Sequence, residues 1–263
     1  SKYNQLLSDT EVCLVSKDKN TGAEHIIEQY YDDDLILHRK FIDYGQDDSG
    51  DVKLNYGGRM YGRWCNLSSL QRQMLRLNSD ETIELDLEAS TVNVMYKNIS
   101  DAKYQEGDPY YLSIDGKVIP RHIVKQASTI MLSTGSIRAA TSALMNHYTP
   151  RLDEWIKDKR SNEKKEKAKE YVEIVSVIKP SEIMKAFLQK HIYIKEFYLK
   201  GKKMGDYVAC MESDRVFEII RQLTEKSIPV LTVYDAFIVQ KQYEDLVLKL
   251  MAELPHPKYW ELI

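Results

Sequence analysis

The chain has 263 residues, of which 43% are hydrophobic and 10% aromatic, enough to bury a substantial core as one large domain or two closely packed lobes. Its three cysteines, Cys13, Cys65 and Cys210, are odd in number and widely scattered, which argues against a disulfide framework or a zinc ribbon. The start lacks an apolar h-region and no run reaches the roughly 18 apolar residues of a membrane span, so no membrane is expected and a cytoplasmic location is.

The net charge of −3 is, by itself, evidence against nucleic-acid binding, because Lys and Arg normally supply much of that affinity. The charge is unevenly spread, however. Residues 1–55 carry 6 basic and 12 acidic side chains, whereas residues 117–170 carry 12 basic and 6 acidic. A phosphate-binding region is therefore expected in the second stretch, although the run from Lys157 to Glu170 mixes both signs at helical spacing and also reads as a solvated helix face.

In chain order, Val12-Cys13-Leu14-Val15 and Leu35-Ile36-Leu37 are short apolar runs between polar stretches that include the acidic turn Asp32-Asp33-Asp34. Residues 44–51 read as a turn or linker. Glu81 to Asp86 alternates apolar and acidic residues as a strand ending on Asp86, and Leu87 to Tyr96 continues as a helix with Val92, Met95 and Tyr96 on one face. Residues 121–147 form a helix with a break at Gly135, and further helices fit 151–177, 181–200 and 213–227. Pro229 stops the last of these. Val230 to Val239 then reads as a β-hairpin arm, closed by an amphipathic helix over 243–254.

Four segments carry chemistry. Asp86 ends one apolar strand and Asp235 sits in the apolar run Val230 to Val239. A buried carboxylate is costly unless paired or metal-bound, so each is either a metal ligand or a satisfied structural acid. Arg121 and Lys125 have the spacing that puts two cations one turn apart on a helix, which any charged helix also shows. Gly57-Gly58-Arg59-Met60-Tyr61 is a hairpin turn with a surface arginine, or a glycine-lined approach to a ligand.

In this order the segments resemble the conserved core of family A nucleic-acid polymerases, most closely the short, exonuclease-lacking enzymes of phages and mobile elements, over residues 57–250. The segments Glu106-Gly107-Asp108-Pro109-Tyr110 and Glu212-Ser213-Asp214 belong to the same resemblance, with Asp108 read as a turn former and Glu212 or Asp214 as a helix cap. The resemblance implies an α+β right-hand fold: an antiparallel palm sheet with helices, a helical fingers insertion and a reduced thumb. Residues 1–56 would be an acidic thumb or accessory segment, 57–97 and 206–263 the two parts of the palm, and 98–205 the fingers. It implies two Mg²⁺ (or Mn²⁺) ions on the catalytic Asp86 and Asp235, with Lys125 and Arg121 on the triphosphate of an incoming nucleoside triphosphate and Lys125 also a catalytic acid for pyrophosphate release. Gly58, Arg59 and Arg63 would meet a DNA template with its primer, or RNA, and Arg72 would add a backbone contact.

Departures from the family pattern set further expectations. Tyr234 stands where the family has His, and Ala236 where its DNA polymerases have Glu, leaving the carboxylate pair used by single-subunit RNA polymerases. Thr91 occupies the position where family DNA polymerases place a Glu against the ribose 2′-hydroxyl, so relaxed sugar selectivity is expected. The shortness of the chain implies low processivity unless a protein partner clamps the duplex, in a bacterial cell or phage-infected host. The alternatives are a single-subunit RNA polymerase or primase and, from another class, a catalytically degenerate nucleic-acid-binding subunit of the same fold.

Overall fold

The computed structural model describes residues 1–18, 20–45, 54–100, 107–149 and 162–253. The predicted linker beyond Gly45, Glu106 and the first part of the helix expected over 151–177 lie outside these. The described residues form a mixed α+β protein whose largest sheet has six antiparallel strands. The chain divides into two compact units, residues 1–94 with 209–263 and residues 95–208.

The first unit holds the large sheet. Its strands are β1 (Val12–Lys17), β2 (Glu24–Tyr30), β5 (Leu75–Leu77), β6 (Asp80–Asp86), β9 (Val230–Val233) and β10 (Ala236–Gln240), in spatial order β2-β1-β5-β6-β10-β9. Two tight turns set its register. Asn78 and Ser79 both have positive φ, as a two-residue type I′ hairpin requires, and join β5 to β6. Tyr234 (φ 59°) and Asp235 join β9 to β10. The core is built from the apolar residues of these strands together with α1 (Lys2–Ser8), the later part of α8 (Lys202–Glu225) and α9 (Glu244–Glu253), including Leu7, Leu75, Ile219, Leu223, Phe237 and Val247. A separate ribbon, β3 (His38–Phe41) with β4 (Gly57–Tyr61), belongs to the same unit. After β6, Ala89 takes a left-handed turn (φ 47°) into α3 (Ser90–Ser100).

The second unit is mainly helical. The hairpin β7 (Leu112–Ile114) and β8 (Lys117–Ile119) leads into α4 (Arg121–Ser133), α5 (Ile137–Tyr148), α6 (Asn162–Val175) and α7 (Pro180–Lys190). The predicted break near Gly135 falls between α4 and α5. The helix expected over 181–200 is shorter: α7 ends at Lys190, and residues 195–197 make one 3₁₀ turn before Leu199 reverses with positive φ. Buried Ile194 and Phe197 explain the apolar pattern there without helix. The helix expected over 213–227 starts much earlier, at Lys202.

Candidate functional site

The ends of β6 and β10 carry the two aspartates. Antiparallel pairing sets Ala236 opposite Asp86, and the Leu87 N–H donates to the Asp235 carbonyl at 3.3 Å. Both acids line one cavity of about 660 Å³, together with Cys65, Arg72, Glu84 and Tyr234. The local environment differs from the expectation. Asp235 is half-buried in the hairpin turn and does not belong to the strand interior, and Asp86 is exposed at the end of its strand. The cost of burying a charge therefore does not account for either acid, since neither is fully withdrawn from water.

Hard carboxylate oxygens beside water suit Mg²⁺ or Mn²⁺, which keeps several of its waters. Asp86 and Asp235 fit that chemistry as a donor pair. Among the described residues no group of three or more His, Cys, Asp or Glu side chains gathers to hold an ion.

A third acid lies close by, at a position where the sequence predicts a helix cap. Glu212 is in the middle of α8, buried, and accepts the Thr91 hydroxyl at 2.7 Å. Its other carboxylate oxygen stands 4.0 Å from the Arg59 guanidinium. Burial pushes its carboxyl up, Thr91 pulls it back down, Asp235 pushes it up again and Arg59 opposes. Asp214 is likewise mid-helix, where the Arg39 guanidinium grips it. The signal for Glu212 was present in the sequence: it falls on the stripe Val208, Met211, Val216, Ile219 that the helix buries.

The other predicted contacts divide sharply. Arg59 is half exposed and its guanidinium carbon lies 5.7 Å from the Tyr234 ring centre. Gly58 is buried, and its carbonyl accepts from Arg39 Nε at 2.6 Å and from the Ser213 hydroxyl. A side chain at Gly58 would need a left-handed φ of 70° and would place its Cβ 2.9 Å from Arg39 Nη2. Its missing side chain thus serves the packing of Arg39, and its carbonyl is already engaged. Arg63 is paired with Asp34 and, at 3.4 Å, with Glu28. Arg72 is paired with Glu84 at 2.9 Å. These carboxylates compete with any phosphate for the two arginines.

In the second unit, Arg121 opens α4 with its Nε 2.7 Å from Asp108 Oδ2 and its guanidinium 5.1 Å from the Tyr110 ring. The Tyr110 N–H donates to Asp108 Oδ1 at 3.0 Å, the Asx turn expected before Pro109. Burial raises the Asp108 carboxyl, but Arg121 and the Tyr110 amide outweigh it and hold the group below its ordinary range. Lys125, one turn on, is exposed and lines a different cavity of about 410 Å³ with His122, Thr129, His147, Lys164 and Lys167. That collection of basic side chains suits an anion.

Compared with known protein families, with curated proteins and with solved structures, the chain finds no match. No helix among the described residues is long and apolar enough to cross a membrane.

Proposed function

We propose that the chain is a template-directed nucleotidyltransferase, a minimal right-hand DNA polymerase core of the family A type. The observation that carries this reading is the convergence of Asp86 and Asp235, remote in sequence, on one cavity at the ends of neighbouring strands. Phosphoryl transfer asks for such rigidly placed carboxylates and little covalent chemistry. Two Mg²⁺ ions held there would activate a primer 3′-hydroxyl and neutralise the triphosphate. Lys125 and Arg121 are the cations that the resemblance assigns to the phosphates of the nucleotide; within the second unit Lys125 lines its own basic cavity and Arg121 would have to exchange Asp108 for phosphate. Arg59 is assigned the nucleic acid, and Thr91, fixed by Glu212, the sugar.

The test is extension of a labelled primer on a DNA template with dNTP or NTP sets in Mg²⁺ or Mn²⁺, with Asp86→Asn and Asp235→Asn as controls. Extension in the wild type that is lost in both variants supports the reading. Unprimed synthesis from NTPs favours the RNA polymerase or primase alternative. A wild type that binds duplex and extends nothing leaves the degenerate binding subunit, a reading favoured by Tyr234, which stands exposed where the family keeps a histidine.

A further inference from the structure

The β3–β4 ribbon of the first unit has two unlike faces. Register pairs His38 with Tyr61 and Lys40 with Arg59. Side chains alternate along a strand, so these four share one face, which is the solvent-facing one, while Met60 on the other face is buried and Arg39 half-buried. The face is built from two cations, an aromatic ring and an imidazole. The Lys40 ammonium lies 5.0 Å from the Tyr61 ring centre, and the His38 ring lies nearly parallel to Tyr61 at 6.5 Å.

The β9–β10 turn adds Tyr234 to this surface. Its ring meets Tyr61 edge-on, with centres 6.3 Å apart, and Arg59 reaches over it at 5.7 Å. Tyr234 is 47% exposed, and its backbone has φ 59°, a conformation that glycine or asparagine adopts with less strain. A bulky aromatic residue kept exposed at a strained turn position is a mark of function over stability. Tyr234 immediately precedes Asp235.

We propose that this surface binds a single-stranded segment of nucleic acid, an unpaired base stacking on Tyr234 with Tyr61 as its side wall and the adjoining phosphates lying over Arg59 and Lys40. Aromatic rings flanked by cations are how single strands are held without sequence readout. The inference rests on the preceding reading only in taking nucleic acid as the partner; it needs neither catalysis nor metal.

The experiment is a titration of the intact chain in EDTA, without nucleotide, against fluorescent oligothymidylate and against a deoxyribose-phosphate chain of equal length lacking bases, followed by anisotropy. Tyr234→Leu is expected to weaken oligothymidylate binding about tenfold and to leave the baseless chain unaffected. Tyr234→Gly should lose the same affinity while raising Tm, because glycine relaxes the turn, so loss of fold cannot explain it. Arg59→Gln and Lys40→Gln should each lower the slope of log K against log salt by about 0.7 on both ligands. Binding of oligothymidylate by Tyr234→Leu within twofold of wild type, or equal loss on both ligands, overturns the platform, as does a wild type that binds no single strand. Primer extension by the wild type separates the two ideas: stacking behaviour as described with no primer extension would retain the platform and remove the polymerase.

Discussion

Acid should loosen the second unit through a single histidine. His191, at the end of α7, is wholly buried, with Nδ1 3.0 Å from the Tyr96 hydroxyl and Nε2 2.8 Å from the Pro109 carbonyl. Burial drives its pKa down to about 4, against the opposing pull of the Pro109 carbonyl. The native state therefore binds fewer protons than the unfolded state between pH 4 and 6.5, and stability that is complete above that window is lost as pH falls through it. From pH 7.5 to 5.0 the loss comes to about 2 kcal/mol with an unfolded imidazole titrating near 6.5. The consequence is local, because Lys190 beside it donates to the Asp108 carbonyl at 3.1 Å and to the Tyr111 carbonyl at 2.6 Å. Together Lys190 and His191 pin the 108–111 segment that engages Arg121. Hydrogen exchange read by mass spectrometry on peptides spanning 108–112 and 183–194, corrected for intrinsic rates, should show protection falling about 30-fold over this range. In His191→Gln the same pH change should leave protection nearly flat. A wild type and variant with equal pH dependence would refute the assignment to this imidazole.

Three further outcomes follow from contacts near the carboxylates. Gly58→Ala forces an alanine into left-handed backbone against Arg39, so urea unfolding should report a loss of about 1–3 kcal/mol, and an unchanged midpoint would mean that Arg39 is not fixed there. Trp64→Phe removes the 2.8 Å bond from the indole N–H to the Thr232 carbonyl. Cys65 Sγ still donates to that carbonyl at 3.3 Å, so the hydrogen-bond share of the loss is about 1 kcal/mol, and the space left by the fully buried indole should bring the total to about 2–3 kcal/mol in the same assay. Arg63→Gln should leave nucleic-acid affinity and its salt slope unchanged, since Arg63 is engaged by Asp34 and Glu28; a slope lowered as in Arg59→Gln would show that those pairs open on binding.

The parts of the site written in local pattern were readable in advance. Apolar alternation gave the strand ending at Asp86, and Pro229 followed by a β-branched run gave the hairpin holding Asp235. The hairpin of the second unit is not among the predicted elements, although Asp115-Gly116, a pair favoured in a type I′ turn, was the signal for it. What could not be read locally depends on partners far along the chain. Arg63 and Arg72 look like available cations until the fold brings Asp34, Glu28 and Glu84 to them. Glu212 and Asp214 look like cap residues because Ser and Asp often begin helices, and only the early start of α8 at Lys202 moves them to its middle. The residues 191–200 look helical by apolar spacing, yet Ile194, Phe197 and Tyr198 are buried from a chain that turns back at Leu199.

Three features that cost stability meet at the same edge of the first unit. Tyr234 and Ala89 both hold left-handed backbone without being glycine, and Glu212 is a buried acid whose charge is further opposed by Asp235. A chain selected for stability alone would relax each of them cheaply: glycine at 234 and 89, glutamine at 212. They lie on different elements, the β9–β10 turn, the β6–α3 connection and α8, so no single packing demand explains them together. Ala89 turns the chain so that Thr91 can meet Glu212, Glu212 faces Arg59, and Arg59 covers Tyr234 beside Asp235. The strained residues thus form one continuous set of contacts leading to the carboxylate cavity. Local rules are broken in natural proteins chiefly where a site needs it, and here the breaks connect the predicted aspartates to Glu212, a buried acid in the middle of a helix.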